Sequence, residues 1–527
     1  MTAFFKPVVE NWYPSHPLPN DVLLPHPPDD SDTIPSDTKS TVVTTDFYDR
    51  SPISRRFAII GLALSSIISF CCIITGVVIL TIRGVSGVIP LMKLGNSELQ
   101  TYLQFEMLSL ILNALVTICT ESTGFVHSIS LRSALASEGR LRFNTNLRLL
   151  TAARGWRNPN GVLLNGIMVL LLISSYSSSS LVISYNYSSS QSTASAAIAG
   201  LPLFFLGVAL LLQVVIALLG MRGAEILTWS SSPFDVTAAL LHNNKLTRFS
   251  SRCMCCITDR GVDACPAKPS NTQPSAWHAH PSIRKVVISL WGVVIACAGW
   301  AGMVTYFKNE NPVWTFLPWE ASIVYRIPGV NPLDVNLQVW VLLFINIAVV
   351  QGPLTLGLHC SELIANVIRD ERQWRRATEK KGLKTTTNPL IPIFAHPICL
   401  ILFVMKPFLH WMFGLATTVA DGAEDGKLSG GLAVLMFEAQ IWNLCVALFI
   451  FSCFFTFIVL RRPRGPQPAA YGHLQTLANL IDSPLSPVMW WGHKKDGLVC
   501  HAGTSDHELQ AIKMDCVYAG SGAVSST

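Results

Sequence analysis

The sequence predicts an all-α fold, a polytopic membrane helix bundle of about eight transmembrane helices in two parallel four-helix repeats. Three observations predict it. Half of the 527 residues are hydrophobic and 13% are charged, whereas a soluble domain carries about 25% charged residues. The charges are concentrated between long uncharged runs, and the cations fall in alternate connecting segments. The two halves of the chain also align with each other at a constant shift.

The first uncharged run is the clearest span. It covers residues 57–82 and is bounded by Arg56 and Arg83, and about 20 helical residues suffice to cross the hydrocarbon. The second span contains Glu106 and Glu121, and the seventh contains Lys406 together with prolines, which a membrane helix tolerates when its neighbours satisfy the freed backbone groups. The predicted spans are residues 57–82, 105–128, 162–184, 196–219, 286–307, 337–358, 390–416 and 435–460.

The distribution of Lys and Arg predicts the orientation. The two tails and the loops after the second, fourth and sixth spans contain 32 of these residues, and the four other loops contain five. Cytoplasmic loops carry the excess of cations, so we expect both termini in the cytoplasm. The membrane itself is either the plasma membrane or an endomembrane. The one glycosylation sequon, at Asn186, falls in a predicted outer loop that is short for a glycan.

These boundaries divide the chain into five parts. We expect a disordered cytoplasmic tail, a first four-helix half, a cytoplasmic linker loop, a second four-helix half and a cytoplasmic C-terminal tail, over residues 1–56, 57–219, 220–285, 286–460 and 461–527. In the linker, Ser232 to Asp235 has the pattern of a helix N-terminus. In the C-terminal tail, apolar residues from Tyr471 to Ile481 have helical spacing, which predicts a helix that lies on the membrane or docks on the bundle.

A shift of 232 residues places the second span on the sixth. Thr123 then meets Thr355 and His127 meets His359. The same shift superposes the first span on the fifth and the third on the seventh, while the fourth meets the eighth with a slip of about two helical turns. Four crossings return the chain to its starting side. The repeats should therefore be parallel and related by an axis along the membrane normal; chance similarity among apolar helices is the alternative.

Polar groups within the spans are the candidate site, because they are costly in lipid unless they are paired or hydrated. Gln351-Gly352-Pro353 lies at the depth that matches Glu121, and paired polar or broken segments point to a transporter site. Glu121 should therefore face the bundle interior close to a break at Gly352-Pro353; the alternative is that it only packs. The candidate intramembrane polar residues are Glu121, His127, Gln351, His359 and Glu362.

Lys406 has two interpretations. It reaches the outer headgroups if its helix ends early, which we favour, or it is deep and needs a partner if the helix continues to Ala416. The serines of the third span, from Ser174 to Ser180, favour close helix packing with hydrogen bonds across helices.

The cysteines show no paired extracellular framework, and we expect reduced thiols. Cys253, Cys255 and Cys256 cluster in the linker and are candidates for palmitoylation. Their spacing fits zinc poorly, and the His and Cys residues of the C-terminal tail are too irregular to predict a metal site. No nucleotide-binding, zinc-protease or hydrolase signature is present. The sequence therefore predicts no catalytic residues, no cofactor and no metal, and the location of its cations does not suggest nucleic-acid binding.

Three stretches carry a family resemblance: Thr355 to Arg372, Tyr471 to Asp482, and Trp491 to Ser505. They resemble a fungal, basidiomycete-type family of uncharacterised multi-pass membrane proteins. The resemblance covers the second half of the chain best. It implies a fungal source and assigns no activity or binding residues.

Two functions follow as hypotheses. The first is passage of a small solute or ion at the interface between the two halves. The second is a non-enzymatic scaffold or sensor that acts through the cation-rich cytoplasmic face. A polar, hydrated cavity between the second and sixth spans favours the first, and a closed apolar contact there favours the second.

Overall fold

A computed structural model describes most of the chain after residue 51. The described residues are 52–85, 88–90, 98–188, 193–249, 251–259, 266–308, 314–318, 322–326, 337–385, 396–424, 427–482 and 486–519. The predicted disordered tail lies almost entirely outside these residues, and so does Pro392 of the predicted seventh span.

The described part of the chain is mainly helical, and eight of its helices are long and apolar enough to cross a membrane. This confirms the predicted all-α membrane bundle and the number of spans. Within lipid a chain segment must satisfy its own backbone hydrogen bonds, which is why each uncharged run is helical. Side chains on the outer surface, such as Ile67 and Ile74, are apolar and about 60% exposed, as lipid contact requires. The eight spans are α1 (Pro52–Arg83), α2 (Glu98–Ser137), α3 (Val162–Val182), α4 (Gly200–Arg222), α7 (Pro281–Lys308), α8 (Leu337–Arg375), α9 (Pro397–Ala416) and α10 (Glu438–Leu460).

Helix α8 is longer than predicted. Its 39 residues span about 58 Å at 1.5 Å per residue, about twice the hydrocarbon thickness. The helix continues through Pro353 without interruption, so the predicted break at Gly352-Pro353 is wrong. A proline removes one backbone hydrogen bond, and the neighbouring helices hold the rest of the segment in place.

The helices pack in the same way within each half. In the first half α1 and α3 pack against α4, and α2 contacts the other three. In the second half α7 and α9 pack against α10, and α8 contacts the other three. Between the halves, α2 packs against α9, and α3 packs against α8. The interface between the halves is therefore built from the second and third spans of each.

A six-stranded sheet covers one end of the bundle. Its strands follow the order β1-β3-β2-β6-β7-β4, and all neighbouring pairs are antiparallel except β2 and β6, which are parallel through Tyr185 and Ala420. These segments were predicted to be loops, and the predicted glycosylation residue Asn186 lies in β2. The strands are β1 (Val88–Pro90), β2 (Ile183–Ser188), β3 (Thr193–Ala199), β4 (Ile323–Arg326), β6 (Thr417–Glu424) and β7 (Lys427–Met436).

The other end of the bundle carries a folded cap. We define the cap as the described residues of 223–280, 376–385 and 461–519. Its core includes Phe234, Trp491 and Tyr518, which cluster with Trp374 at the end of α8. The predicted helix N-terminus at Ser232 is confirmed, because the Ser232 hydroxyl accepts a hydrogen bond from the Phe234 amide at 3.3 Å. The cap elements are α5 (Pro233–His242), α6 (Ala276–Ala279), the 3-10 helix Arg376–Thr378, α11 (Leu474–Leu480) and a three-stranded sheet of β5 (Leu383–Lys384), β8 (Val488–Lys495) and β9 (His501–Ser505).

The C-terminal segment docks on the end of α8. The Glu371 carboxylate accepts hydrogen bonds from the amides of Ala470 and Tyr471, at 2.9 and 2.8 Å. The next residue, Gly472, has φ +71°, and a Cβ there would lie 2.7 Å from a carboxylate oxygen of Asp370. A glycine is therefore needed for both backbone conformation and space. Helix α11 follows this turn and packs against α5, so the predicted amphipathic helix docks within the cap.

Candidate functional site

The centre of the candidate site is Lys406, in the middle of α9. Its side chain is 2% exposed, and its ammonium group contacts carboxylate oxygens of Glu121 on α2 and Glu362 on α8. Lys406 is the tenth residue of α9 and so lies about 14 Å from the start of the helix. At this depth the lysine side chain does not reach the lipid headgroups, and its ammonium group pairs with two acids instead. The favoured interpretation of a lysine at the outer membrane surface is therefore wrong.

Two further groups complete this cluster. The Nδ1 atom of His359 lies 3.0 Å from Glu362 and 3.6 Å from Glu121. A guanidinium nitrogen of Arg148, in the segment between α2 and α3, lies 3.5 Å from Glu362. Two carboxylates thus face one ammonium and one guanidinium. We call Glu121, Arg148, His359, Glu362 and Lys406 the charge cluster.

A glycine on α2 makes room for Arg148. A Cβ at Gly124 would lie 1.6 Å from the guanidinium nitrogen Nη1 of Arg148, so the guanidinium lies directly against the helix backbone. Gly124 is one turn from Glu121, and the arginine therefore reaches the charge cluster across the face of α2. A side chain at position 124 would block that approach.

The charge cluster borders a cavity of about 370 Å³. The two carboxylates are partly exposed to it, at 28% for Glu121 and 22% for Glu362, while the His359 and Lys406 side chains are enclosed. Both halves of the bundle form the walls, and the segment 144–149 lies at the cap end. Most of the other walls are apolar, and the apolar lining includes Phe57, Ile118, Phe125, Leu135, Leu363, Leu402 and Phe403.

Towards the sheet end, a second group of buried polar residues follows the charge cluster. The ring of His410, one turn beyond Lys406, stacks on Tyr176 with centroids 3.7 Å apart. Its Nδ1 atom lies 3.0 Å from the Gln351 amide nitrogen, which also lies 3.1 Å from the Ser180 hydroxyl. The Tyr176 hydroxyl lies 3.1 Å from that of Thr117. Polar groups thus continue along the interface beyond Lys406.

These contacts correct one prediction about Glu121. We expected its carboxylate to meet Gln351 near a break in α8, but Gln351 bonds to His410 and Ser180 and is fully buried. The Glu121 carboxylate meets Lys406 instead. The equal depth of Glu121 and Gln351 did not predict a contact between them, because α2 packs against α9, and α8 packs against α3. The two residues lie in adjacent polar layers.

Among the other predicted site residues, His359 and Glu362 belong to the charge cluster, and His127 does not. His127 is buried, and its two ring nitrogens have no hydrogen-bond partner among the described residues. The serines of α3 bond across helices as expected, since the hydroxyl of Ser179 donates to Asn113 at 2.8 Å and Ser175 accepts from Gln213 at 2.7 Å.

Three residues of the charge cluster also have the geometry of metal ligands. Glu121, His359 and Glu362 each offer one ligand atom, and these atoms lie within 4.8 Å of one another. The ammonium of Lys406 contacts both carboxylates, however, and supplies the positive charge that a cation would bring. We therefore describe this group as an ion-pair network.

The linker cysteines differ from one another. Cys253 is a buried free thiol, and Cys256 is a partly exposed free thiol. Cys255 takes part in a disulfide bond, so the expectation of a reduced thiol and the suggestion of lipidation are wrong for this residue. Sequence spacing alone does not reveal connectivity.

Three important residues of this region were not predicted. Arg148 was counted only as a loop cation, and Tyr176 was not considered. His410 gave a usable signal, because it lies four residues after Lys406 and so shares its helix face. A helix face with two titratable residues in the middle of a span indicates that the lysine points into the bundle.

Comparisons of the chain with protein families, curated proteins and solved structures found no match. The fold and the site therefore have to be interpreted from their own geometry, and membership of the fungal family stays a prediction.

Proposed function

We propose that this protein carries a small solute or ion across the membrane at the interface between its two halves. The observation that carries the proposal is the charge cluster in mid-membrane, with two carboxylates open to a cavity that both halves line. Ionisable residues inside a membrane are costly and typically mark solute paths or proton relays. A buried ion pair contributes little net stability, so stability alone is a weak reason to keep one at this depth.

The charge cluster suits coupling of a proton to a solute. Its two acids and two cations are balanced, with Lys406 shared between Glu121 and Glu362. A proton taken up by Glu121 leaves Lys406 to Glu362 alone and makes the cavity more positive by one charge. Binding of a charged solute in the cavity and protonation of Glu121 then affect each other's free energy, and this reciprocity is what coupled transport requires.

The proposal includes two parallel repeats. Within each half, equivalent pairs of helices pack against each other. The repeat also relates the two contacts between the halves, because it converts the pair α2 and α9 into the pair α8 and α3. The order of the sheet supports this. Strands β1-β3-β2 correspond to β4-β7-β6, and β2 meets β6 in parallel. A two-fold axis along the strand direction preserves that direction, so parallel neighbours are expected at the centre of the sheet.

The proposed orientation places the cap in the cytosol. The cation-rich loops all lie at the cap end, in accordance with the excess of cations on the cytoplasmic side of membrane proteins. The cavity reaches the segment 144–149 at this end, and the layer of Gln351 and His410 closes the path towards the sheet. The proposal therefore includes access to the cavity from the cytosol.

The test is a proton flux in proteoliposomes. Full-length protein is reconstituted with the pH-sensitive dye pyranine inside, and a pH gradient is imposed under a clamped membrane potential. We expect the wild-type protein to dissipate the gradient faster than protein-free liposomes. We expect Glu121→Gln to abolish this flux, because glutamine retains the shape of the side chain and loses the exchangeable charge.

The matched control is Glu379→Gln, which makes the same change at an exposed cap residue. It should transport as the wild type does. Equal fluxes in wild type and Glu121→Gln, or no flux with wild type, would overturn proton coupling.

One observation favours the alternative function of a scaffold or sensor. The cap has its own hydrophobic core and docks on α8 through Glu371. A folded module of this kind can hold a partner or a ligand without transport. Wild-type protein with no flux and a stable cap would support this second function.

A further inference from the structure

A group of metal-ligand side chains lies in the cap, far along the chain from the charge cluster. Strand β8 ends at Lys495 and β9 begins at His501, and the hairpin between them brings His493, Asp496 and Cys500 together. Their ligand atoms lie within 4.8 Å of one another. The Nε2 atom of His493 lies 3.1 Å from an Asp496 oxygen, and the Cys500 sulfur lies 3.9 Å from the same oxygen.

A fourth ligand comes from the C-terminal segment. The amide of Cys500 donates to the carbonyl of Val517 at 2.8 Å, and the amide of Ala519 donates to the carbonyl of Cys500 at 3.2 Å. This pairing places Cys516, which precedes Val517, beside the hairpin. Both cysteines are free thiols.

We propose that His493, Asp496, Cys500 and Cys516 form a site for a divalent zinc ion. Zinc binds four ligands tetrahedrally at about 2.0–2.3 Å, which separates neighbouring ligand atoms by about 3.3–3.8 Å. The separations of 3.1 Å between His493 and Asp496 and 3.9 Å between Asp496 and Cys500 are close to these values. Cys516 is not part of the group within 4.8 Å, and its thiol would have to approach the other three ligands. One imidazole, one carboxylate and two thiolates are a ligand set that selects zinc over magnesium or calcium.

The surroundings of His493 orient its ring for this role. The Nδ1 atom lies 2.9 Å from the hydroxyl of Tyr518, and Tyr518 is fully buried. A proton on Nδ1 directed at that hydroxyl leaves the lone pair of Nε2 facing Asp496 and Cys500. Zinc-binding histidines are typically held by such a second hydrogen bond. Tyr518 is therefore a positioning residue.

The position of the site explains what the ion would do. His493 and Cys500 are buried, while the Asp496 side chain is 67% exposed, so an ion can enter from solvent. The ligands come from the end of β8, the hairpin and the C-terminal segment. A bound ion would connect these three segments and stabilise the cap, with release of the two thiol protons.

Lys513 competes for the same carboxylate. Its ammonium lies 2.6 and 2.7 Å from the two oxygens of Asp496. Lys513→Ala removes the competing cation and should increase metal affinity.

The experiment uses the full-length protein purified in detergent under reducing conditions. Elemental analysis should find one zinc per chain. After chelation, added Co²⁺ should produce the near-ultraviolet charge-transfer band of thiolate ligands. Cys500→Ser and Cys516→Ser should lose zinc and weaken the band, while Cys453→Ser, a partly exposed free thiol in α10, should behave as the wild type. Tyr518→Phe should weaken cobalt binding about 10- to 100-fold and retain the band.

Two results would overturn the site. One is a wild-type protein with no more than trace zinc and no cobalt band. The other is a disulfide between Cys500 and Cys516 that persists under these reducing conditions. Because both are measured on wild-type protein, they hold even if a variant fails to fold.

Discussion

The substitution Lys406→Met tests the charge cluster through stability. Methionine has a similar volume and no charge, so the change leaves Glu121 and Glu362 without their shared partner. Their nearest oxygens are at most 4.8 Å apart, and at an effective dielectric constant near 20 two charges at that distance repel by about 3.5 kcal/mol. Loss of one partner from a buried pair typically costs about 3–5 kcal/mol. We expect the free energy of unfolding to fall by about that amount.

A double variant separates charge from packing. Glu121→Gln in the Lys406→Met background removes the repulsion and leaves Glu362 close to Arg148, so much of the lost stability should return. The expected coupling between the two substitutions is about 2–3 kcal/mol. Unfolding by SDS titration in mixed micelles measures both values, with Lys380→Met on the exposed cap surface as the control. A Lys406→Met protein within about 0.5 kcal/mol of wild type, the range of neutral surface changes, would refute the ion-pair account.

Two predictions concern the cap. Gly472→Ala should lower the free energy of unfolding by about 1–3 kcal/mol, because the added Cβ approaches Asp370 and φ is positive. Faster proteolysis of the C-terminal segment should report this loss. The control Gly465→Ala should have a smaller effect, because Gly465 has a positive φ but no neighbour within 4 Å. Burial alone would raise the pKa of Asp482, but hydrogen bonds from His501 and other groups lower it below its ordinary value of 3.8. Its contribution to stability is therefore present above about pH 4 and lost as pH falls, and the acid limb of cap unfolding should be reduced in Asp482→Asn.

The transmembrane helices could be predicted from the sequence because lipid imposes one constraint on every span. Uncharged runs of sufficient length must be helical, and α3, for example, begins at the predicted residue 162. Helix ends outside the lipid follow no such rule. Helix α8 therefore extends 17 residues past its predicted end at 358, and the strands at the sheet end were not foreseen.

The residues of the charge cluster could be predicted better than their pairing. Glu121, His359 and Glu362 were identified because each places a titratable group within or beside a span. The partner of Glu121 could not be identified, since the choice between Gln351 and Lys406 depends on which helices pack together. That packing depends on the shape and polarity of whole helix faces. A single sequence gives the depth of a residue in the membrane but not the helix that it faces.

The cap shows the same limit. The sequence places Cys500 and Cys516 far apart from each other, and their spacing fits no regular zinc motif. Only the pairing of the Cys500 backbone with Val517 and Ala519 brings the two chain segments together. Spacing rules find sites within one short segment and miss those that a tertiary contact assembles.

The central claim is that solvent and solute reach Glu121 through the cavity, and Ser122→Cys tests it most directly. The substitution adds a nearly isosteric thiol to the cavity wall. A membrane-impermeant thiol reagent, with mass spectrometry of the labelled peptide, reports its accessibility from each face of sealed vesicles. We predict that the thiol reacts from the cap side and that Ser452→Cys, at a buried position in α10, does not react from either side. A Ser122→Cys thiol that is unreactive from both sides would contradict the account.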